Sequence, residues 1–203
     1  WFEKCIKKQL YGKAYLVRFA DDFLIMFQYE RDAQRVYEAV IKRMELFGLE
    51  LSKEKTRILP FGRYSDSRET FDFLGFTHFN SKTRKGYYSV GHKISRKKKK
   101  QFKSNLKKWV KENRNTQFDE FMKALNKKLT GSFNYYSLSG MIREVRSLWI
   151  HSLYVTFKWL NRRSQRRSFK LERFYEIWND RIIHPYIHVD IWSGDKVIYN
   201  KNV

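Results

Sequence analysis

The sequence predicts an α+β fold: a small antiparallel sheet with helix over about residues 1–91, followed by a helical domain over about 92–185. Three observations predict it. Apolar runs of strand length, separated by turn residues, fill the first stretch. Apolar residues at three- and four-residue spacing fill the second. The charge changes at the same place, with 17 basic and 12 acidic side chains in residues 1–91 against 26 and 9 in residues 92–203. Residues 186–203 read as a short tail.

Residues 14–28 (AYLVRF-ADD-FLIMFQ) carry two aromatic-rich strands around a short acidic turn, a hairpin pattern. A helix is expected from about Asp32 to Phe47. Val36, Tyr37, Val40, Ile41, Met44 and Phe47 supply its apolar face, and Gly48 stops it. Leu49–Leu59 and Phe71–Thr77 read as further strands, joined by the loop from Phe61 to Thr70. Tyr87–Val90, between Gly86 and Gly91, closes the first domain. Helices then take over from His92. The first runs to about Glu112, with Phe102, Leu106, Trp109 and Val110 inward. The second starts at Thr116, with Thr116 and Asp119 as a capping box, buries Phe118, Phe121, Met122 and Leu125, and ends at Gly131. A third spans about Leu138–Leu160, with Ile142, Val145, Trp149 and Leu153 on one side. A short fourth, about Phe169–Trp178, is capped by Ser168.

A formal net charge of +22 on 203 residues favours a polyanionic partner and says nothing of fold. Self-repulsion on this scale is destabilising unless a partner neutralises it. Aromatic residues make up 18%, enough for core and for base-stacking surfaces alike. Cys5 is the only cysteine, which rules out an internal disulfide or a thiolate zinc site and suits a reducing, cytoplasmic setting. The five histidines show no ligand spacing. No uncharged run approaches the ~20 apolar residues of a membrane span, so a membrane partner is not expected. The opening Trp1-Phe2-Glu3 reads as the continuation of something longer.

Asp21 and Asp22 are the residues most open to chemistry. Aspartate is common in turns, and a bland turn remains one reading. Paired carboxylates at the tip of a rigid apolar hairpin are also what magnesium takes beside substrate phosphates, because it prefers hard oxygen ligands. Two such ions can clamp the attacking and leaving oxygens of a phosphoryl transfer.

At this point the chain resembles reverse transcriptases, and specifically the group II intron and bacterial group II-like branch. Phe19-Ala20-Asp21-Asp22, preceded by Arg18, resembles the aromatic-x-Asp-Asp catalytic hairpin. Leu49-Glu50-Leu51-Ser52-Lys53-Glu54-Lys55-Thr56 resembles the block after the palm helix, and Phe71-Asp72-Phe73-Leu74-Gly75-Phe76 the primer grip. Leu129-Thr130-Gly131-Ser132-Phe133-Asn134-Tyr135-Tyr136 and Trp159-Leu160-Asn161-Arg162-Arg163-Ser164-Gln165 resemble the thumb, or maturase domain.

The resemblance implies the C-terminal part of a palm over 1–91 and a thumb over 92–185. It implies RNA-directed DNA synthesis from an RNA template, a DNA primer and dNTPs. Asp21 and Asp22 would hold Mg2+, and Lys55 would touch the triphosphate or donate a proton to pyrophosphate. Phe73, Leu74, Gly75 and Phe76 would position the primer, with Gly75 admitting its backbone closely. Phe19 stands where the family often has Tyr; its aromatic packing is expected to survive. The family's other catalytic aspartate and its fingers lie upstream, and Asp32, Asp66 and Asp72 stand in the wrong blocks to replace it. The metal site is therefore expected to be completed from outside this chain, by the same or a separate polypeptide. Alternatives are a non-catalytic maturase that binds structured intron RNA, or an adaptive-immunity (CRISPR-associated) or diversity-generating reverse transcriptase.

The residues alone point to a nucleic-acid face as well. Arg96, Lys97, Lys98, Lys100, Lys103, Lys107 and Lys111 crowd one helix, and like charges at helical spacing repel unless phosphates neutralise them. Arg162, Arg163, Arg166 and Arg167 form a second cluster. Trp109, Trp149, Trp159 and Trp178 sit at helical core spacing and read as core.

Overall fold

The computed structural model describes residues 1–52, 54–163 and 168–191. Lys53, the Ser164-Gln165 end of the last thumb block, Arg166, Arg167 and the tail beyond 191 lie outside the described residues. Two compact units result, the first comprising Trp1–Leu74 and His78–Gly91, the second Gly75–Thr77 and the chain from His92 onward.

In the first unit, two short helical turns (Phe2–Ile6 and Lys7–Gln9) lead into strand β1 (Ala14–Phe19). β1 pairs antiparallel with β2 (Asp22–Phe27), in register from Ala14↔Phe27 to Phe19↔Asp22. Directly opposed residues share a sheet face. Ala14, Leu16, Phe23, Ile25 and Phe27 accordingly pack together on Val36 and Val40 of helix α1 (Glu30–Glu45), joined by Phe2, Ile6, Leu10, Met44 and Leu51. Buried Asp32, in the first turn of α1, accepts the Gly12 N–H at 2.9 Å and so ties the approach to β1 to the helix. α1 closes at Glu45, short of the expected Phe47, which is exposed rather than on the apolar face; Gly48, at φ 66, turns the chain just beyond.

Leu49–Leu59 form no strand among the described residues. The Ser52 carbonyl accepts the N–H groups of Lys55 and Thr56, so the backbone turns on itself instead of presenting a ladder. Nor is Phe71–Thr77 a single strand. β3 (Thr70–Phe73) and β4 (Phe76–Lys82) are joined at Leu74-Gly75, whose φ values of 50 and 82 are those of a type I′ hairpin turn. β5 (Tyr88–Ile94) completes the sheet in the order β3-β4-β5. The strand reaches Ile94, so His92 belongs to sheet and the helices start later than their charge pattern implied.

The second unit holds α2 (Arg96–Asn113), α3 (Phe118–Tyr136), α4 (Ile142–Leu160) and α5 (Leu171–Arg181). Ser95 caps α2, its hydroxyl accepting the Lys98 N–H. Leu106, Val110, Phe121, Met122, Leu125, Leu129, Phe133, Val145, Leu148, Leu153, Phe174 and Trp178 form one apolar core. α3 runs through Gly131, because Leu129 and Phe133 on either side are fully buried and hold the turn helical. Burial of side chains that size outweighs the ~1 kcal/mol helical cost of a glycine. Neither expected cap is used. Gln117 and Lys170 occupy the N-cap positions of α3 and α5 without side-chain bonds, and Asp119 instead pairs with Arg181. α4 begins at Ile142 because Leu138 forms a parallel bridge to Val189 and Gly140, at φ 83, turns the chain. Among the described residues no helix is long and apolar enough to cross a membrane.

Candidate active-site hairpin and nucleic-acid face

Only Ala20 and Asp21 separate β1 from β2, so Asp21 stands in the loop and Asp22 is the first residue of its strand. Ala20 is held at φ 51, a left-handed conformation that costs a residue with a Cβ roughly 1–2 kcal/mol. Arg18 helps retain it, its Nε donating to the Ala20 carbonyl at 2.8 Å. Strain of this kind is characteristic of functional turns.

Asp22 opposes Phe19, and the face they begin continues through Val17–Leu24 to Tyr15–Met26. This is the face that α1 does not cover. Tyr15, Val17 and Met26 are exposed, and Phe19 is 63% exposed. The strands are thus buried on one side only, and the expected packing of Phe19 does not occur among the described residues. Contiguous apolar exposure on a strand face marks a surface that meets something else.

Both carboxylates are exposed, and neither enters an ion pair among the described residues. Anionic oxygen donors left free in this way have the chemistry a hard divalent cation requires. The pair is not a complete cage: among the described residues no group of three or more His, Cys, Asp or Glu side chains is placed to hold a metal.

Lys55 is exposed, in the turn closed on Ser52. Phe73, Leu74 and Gly75 are half-buried around the β3–β4 turn, but Phe76 is core, stacked on Tyr135 with ring centroids 5.6 Å apart. Phe76 therefore anchors the turn and is not available as a contact surface. Gly75 is required by its φ of 82 more than by crowding, since an added Cβ would meet Lys98 Cγ at an ordinary 3.5 Å.

Along α2, Arg96, Lys97, Lys98, Lys100, Lys107, Lys108 and Lys111 are exposed. Arg96, Lys100, Lys107 and Lys111 fall within one stripe at spacings of four, seven and four residues. Lys103 departs from the expected outer position. It is half-buried and faces α4, where its charge together with burial, the larger effect, holds the His151 imidazole below its ordinary value of 6.5. His151 Nε2 is buried without a hydrogen-bond partner among the described residues. A histidine that resists protonation only when folded stabilises fully above the unfolded value and loses that contribution as pH falls below it. Denaturant titrations should therefore show stability declining below about pH 6.5, and less so in His151→Phe.

Three cations surround one ring at the far end of α2. Lys111 Nζ lies 5.8 Å from the Trp159 ring centroid, Arg114 Cζ 5.4 Å and Arg162 Cζ 5.5 Å. Trp159 is only half-buried, unlike Trp149 and Trp178. Next to Arg162 in sequence, Arg163 has Nε and Nη2 buried without a partner among the described residues. The sequence reading missed Arg114 and the part Trp159 plays. The three-residue spacings Lys111–Arg114 and Trp159–Arg162 were visible, but the approach of α2 to α4 that brings them together was not.

Residues 2–78 match the family model for reverse transcriptase (RNA-dependent DNA polymerase). That segment resembles a reverse transcriptase domain. It contains β1, β2 and α1, both carboxylates, Lys55 and the β3–β4 turn. No curated protein matches the chain.

Proposed function

We propose that the chain is the C-terminal palm (1–91) and helical thumb (92–185, with the tail 186–203) of an RNA-directed DNA polymerase of the group II intron type. The observation that carries this reading is the coincidence of the family match with a strained hairpin that displays two unpaired carboxylates on an open apolar face. In the reaction a primer 3′-hydroxyl attacks the α-phosphate of a dNTP and pyrophosphate leaves. Asp21 and Asp22 would hold magnesium, completed by a carboxylate outside this sequence. Bound there, the metal supplies charge stabilisation to the phosphoryl oxygens. Phe19 and its face meet the primer end, Lys55 reaches toward the triphosphate, and the β3–β4 turn positions the primer. The basic face of the second unit grips phosphates, which positions the template without reading its bases. Catalysis then rests on placement and preorganised charge rather than covalent chemistry.

The concentration of charge in the second unit, outside the matched segment, favours a second role in binding structured intron RNA. One experiment tests what the two roles share. The purified 203-residue chain, given an RNA template, DNA primer, magnesium and dNTPs, should bind the hybrid and leave the primer unextended. Robust extension would overturn the incomplete donor set. Failure to bind the hybrid or free RNA would remove both roles.

A further inference from the structure

We infer that Trp159 organises Lys111, Arg114 and Arg162 into a phosphodiester-binding site for single-stranded RNA, at the end of the α2 stripe. The inference rests on the reading of the second unit as RNA-binding and names a specific site within it. Three cations within 6 Å of one ring centroid repel one another. Each gains only modestly from a ring that is still partly open to solvent. Among the described residues none of the three enters an ion pair that would offset the repulsion. Nor does the sequence offer an acid anywhere between Trp159 and Lys170, where it adds Arg163, Arg166 and Arg167 instead. A cluster built this way lacks its counter-charge, and Lys111 continues the stripe of Arg96, Lys100 and Lys107 toward it.

The chemistry selects phosphate. Arginine presents a planar fork matched to two phosphate oxygens, and two arginines with a lysine can surround one phosphodiester from several sides. The ring's part is to hold the guanidinium groups in place before the ligand arrives, which removes part of the ordering cost of binding. Trp159 is thus a positioning residue. Its faces are occupied by cations, so the site recognises backbone and not base.

Binding of a labelled 12-nucleotide oligouridylate to the full chain, measured at several salt concentrations, tests this. Arg114→Gln with Arg162→Gln should weaken binding roughly tenfold and flatten the slope of log affinity against log salt by about 1.4, since each single-strand phosphate contact contributes about 0.7. Trp159→Leu should weaken binding several-fold with the slope retained, because the cations remain but are no longer held, and Trp159→Phe should restore most of the affinity. Melting curves confirm that each variant is folded. Arg162 is exposed and Arg114 half-buried, and the double arginine variant is judged by its own melting curve, so its result stands even if Trp159→Leu fails to fold. Lys97→Gln, Lys100→Gln and Lys107→Gln together serve as the comparison. If they flatten the slope and the arginine pair does not, this site is wrong while the RNA-binding reading survives. If wild-type chain binds no RNA, both are wrong.

Discussion

Replacing Asp21 by Asn, in a protein whose third carboxylate is present, is expected to reduce templated synthesis by roughly 10²-fold or more. RNA affinity should stay within about twofold, because phosphate contacts and not this turn set it. The substitution keeps the size and the turn propensity of the side chain and removes one anionic oxygen donor. Asp21 is exposed in a two-residue loop and makes no ion pair among the described residues, so folding should be unchanged. Primer extension, RNA binding and thermal melting of the same preparation separate these effects. More than about a tenth of wild-type synthesis would mean that Asp21 is not a metal ligand, given what losing such a group ordinarily costs.

The second large effect is expected on α2. Changing Lys97, Lys100 and Lys107 together to Gln should flatten the salt slope of RNA binding by about two units and weaken affinity by ten- to a hundredfold at low salt, on the order expected for three phosphate contacts. All three are exposed, and relieving their mutual repulsion should leave the melting temperature equal or higher. RNAs of different sequence should weaken alike, since the contacts do not read bases. Lys103→Gln offers an internal contrast. That side chain is half-buried against α4, so its loss should raise the pKa of His151 and change the slope less than any one of the three. An unchanged slope in the triple variant would make the exposed lysines of α2 an ordinary solvated surface.

How far the sequence carried depended on whether a residue's role is local. The β1–β2 hairpin, α1 and the core faces of α2, α3 and α4 were legible because apolar spacing maps directly onto one face of a strand or helix. Leu49–Leu59 misled for the same reason. Its alternation suits a strand, but a strand needs a neighbour to take its hydrogen bonds, and Ser52 took them locally. Gly131 suggests a stop by its own propensity, but the burial of Leu129 and Phe133 decides the conformation there. Ser168 and Thr116 were plausible caps, yet capping depends on the few degrees of backbone that bring a hydroxyl to an N–H. At the candidate site, Asp21 and Asp22 stood out in sequence, whereas the exposure of Phe19 did not, since strand pairing and α1 together fix which face stays open. The Trp159 cluster required contact between α2 and α4, residues almost fifty apart, which no local pattern records.

On this reading a carboxylate hairpin for nucleotidyl transfer and a basic face for RNA belong to one polymerase. Single-nucleotide incorporation tests it most directly, in a protein that includes this chain and supplies the third carboxylate. A DNA primer annealed to RNA templates differing at one position is offered each dNTP in turn, with magnesium, and pyrophosphate is measured alongside extension. The expected result is incorporation of the template-dictated nucleotide, one pyrophosphate per addition, and loss of both in Asp21→Asn with binding intact. Tight RNA binding with no incorporation on any template would contradict it, and would leave the chain an RNA-binding protein on a polymerase scaffold.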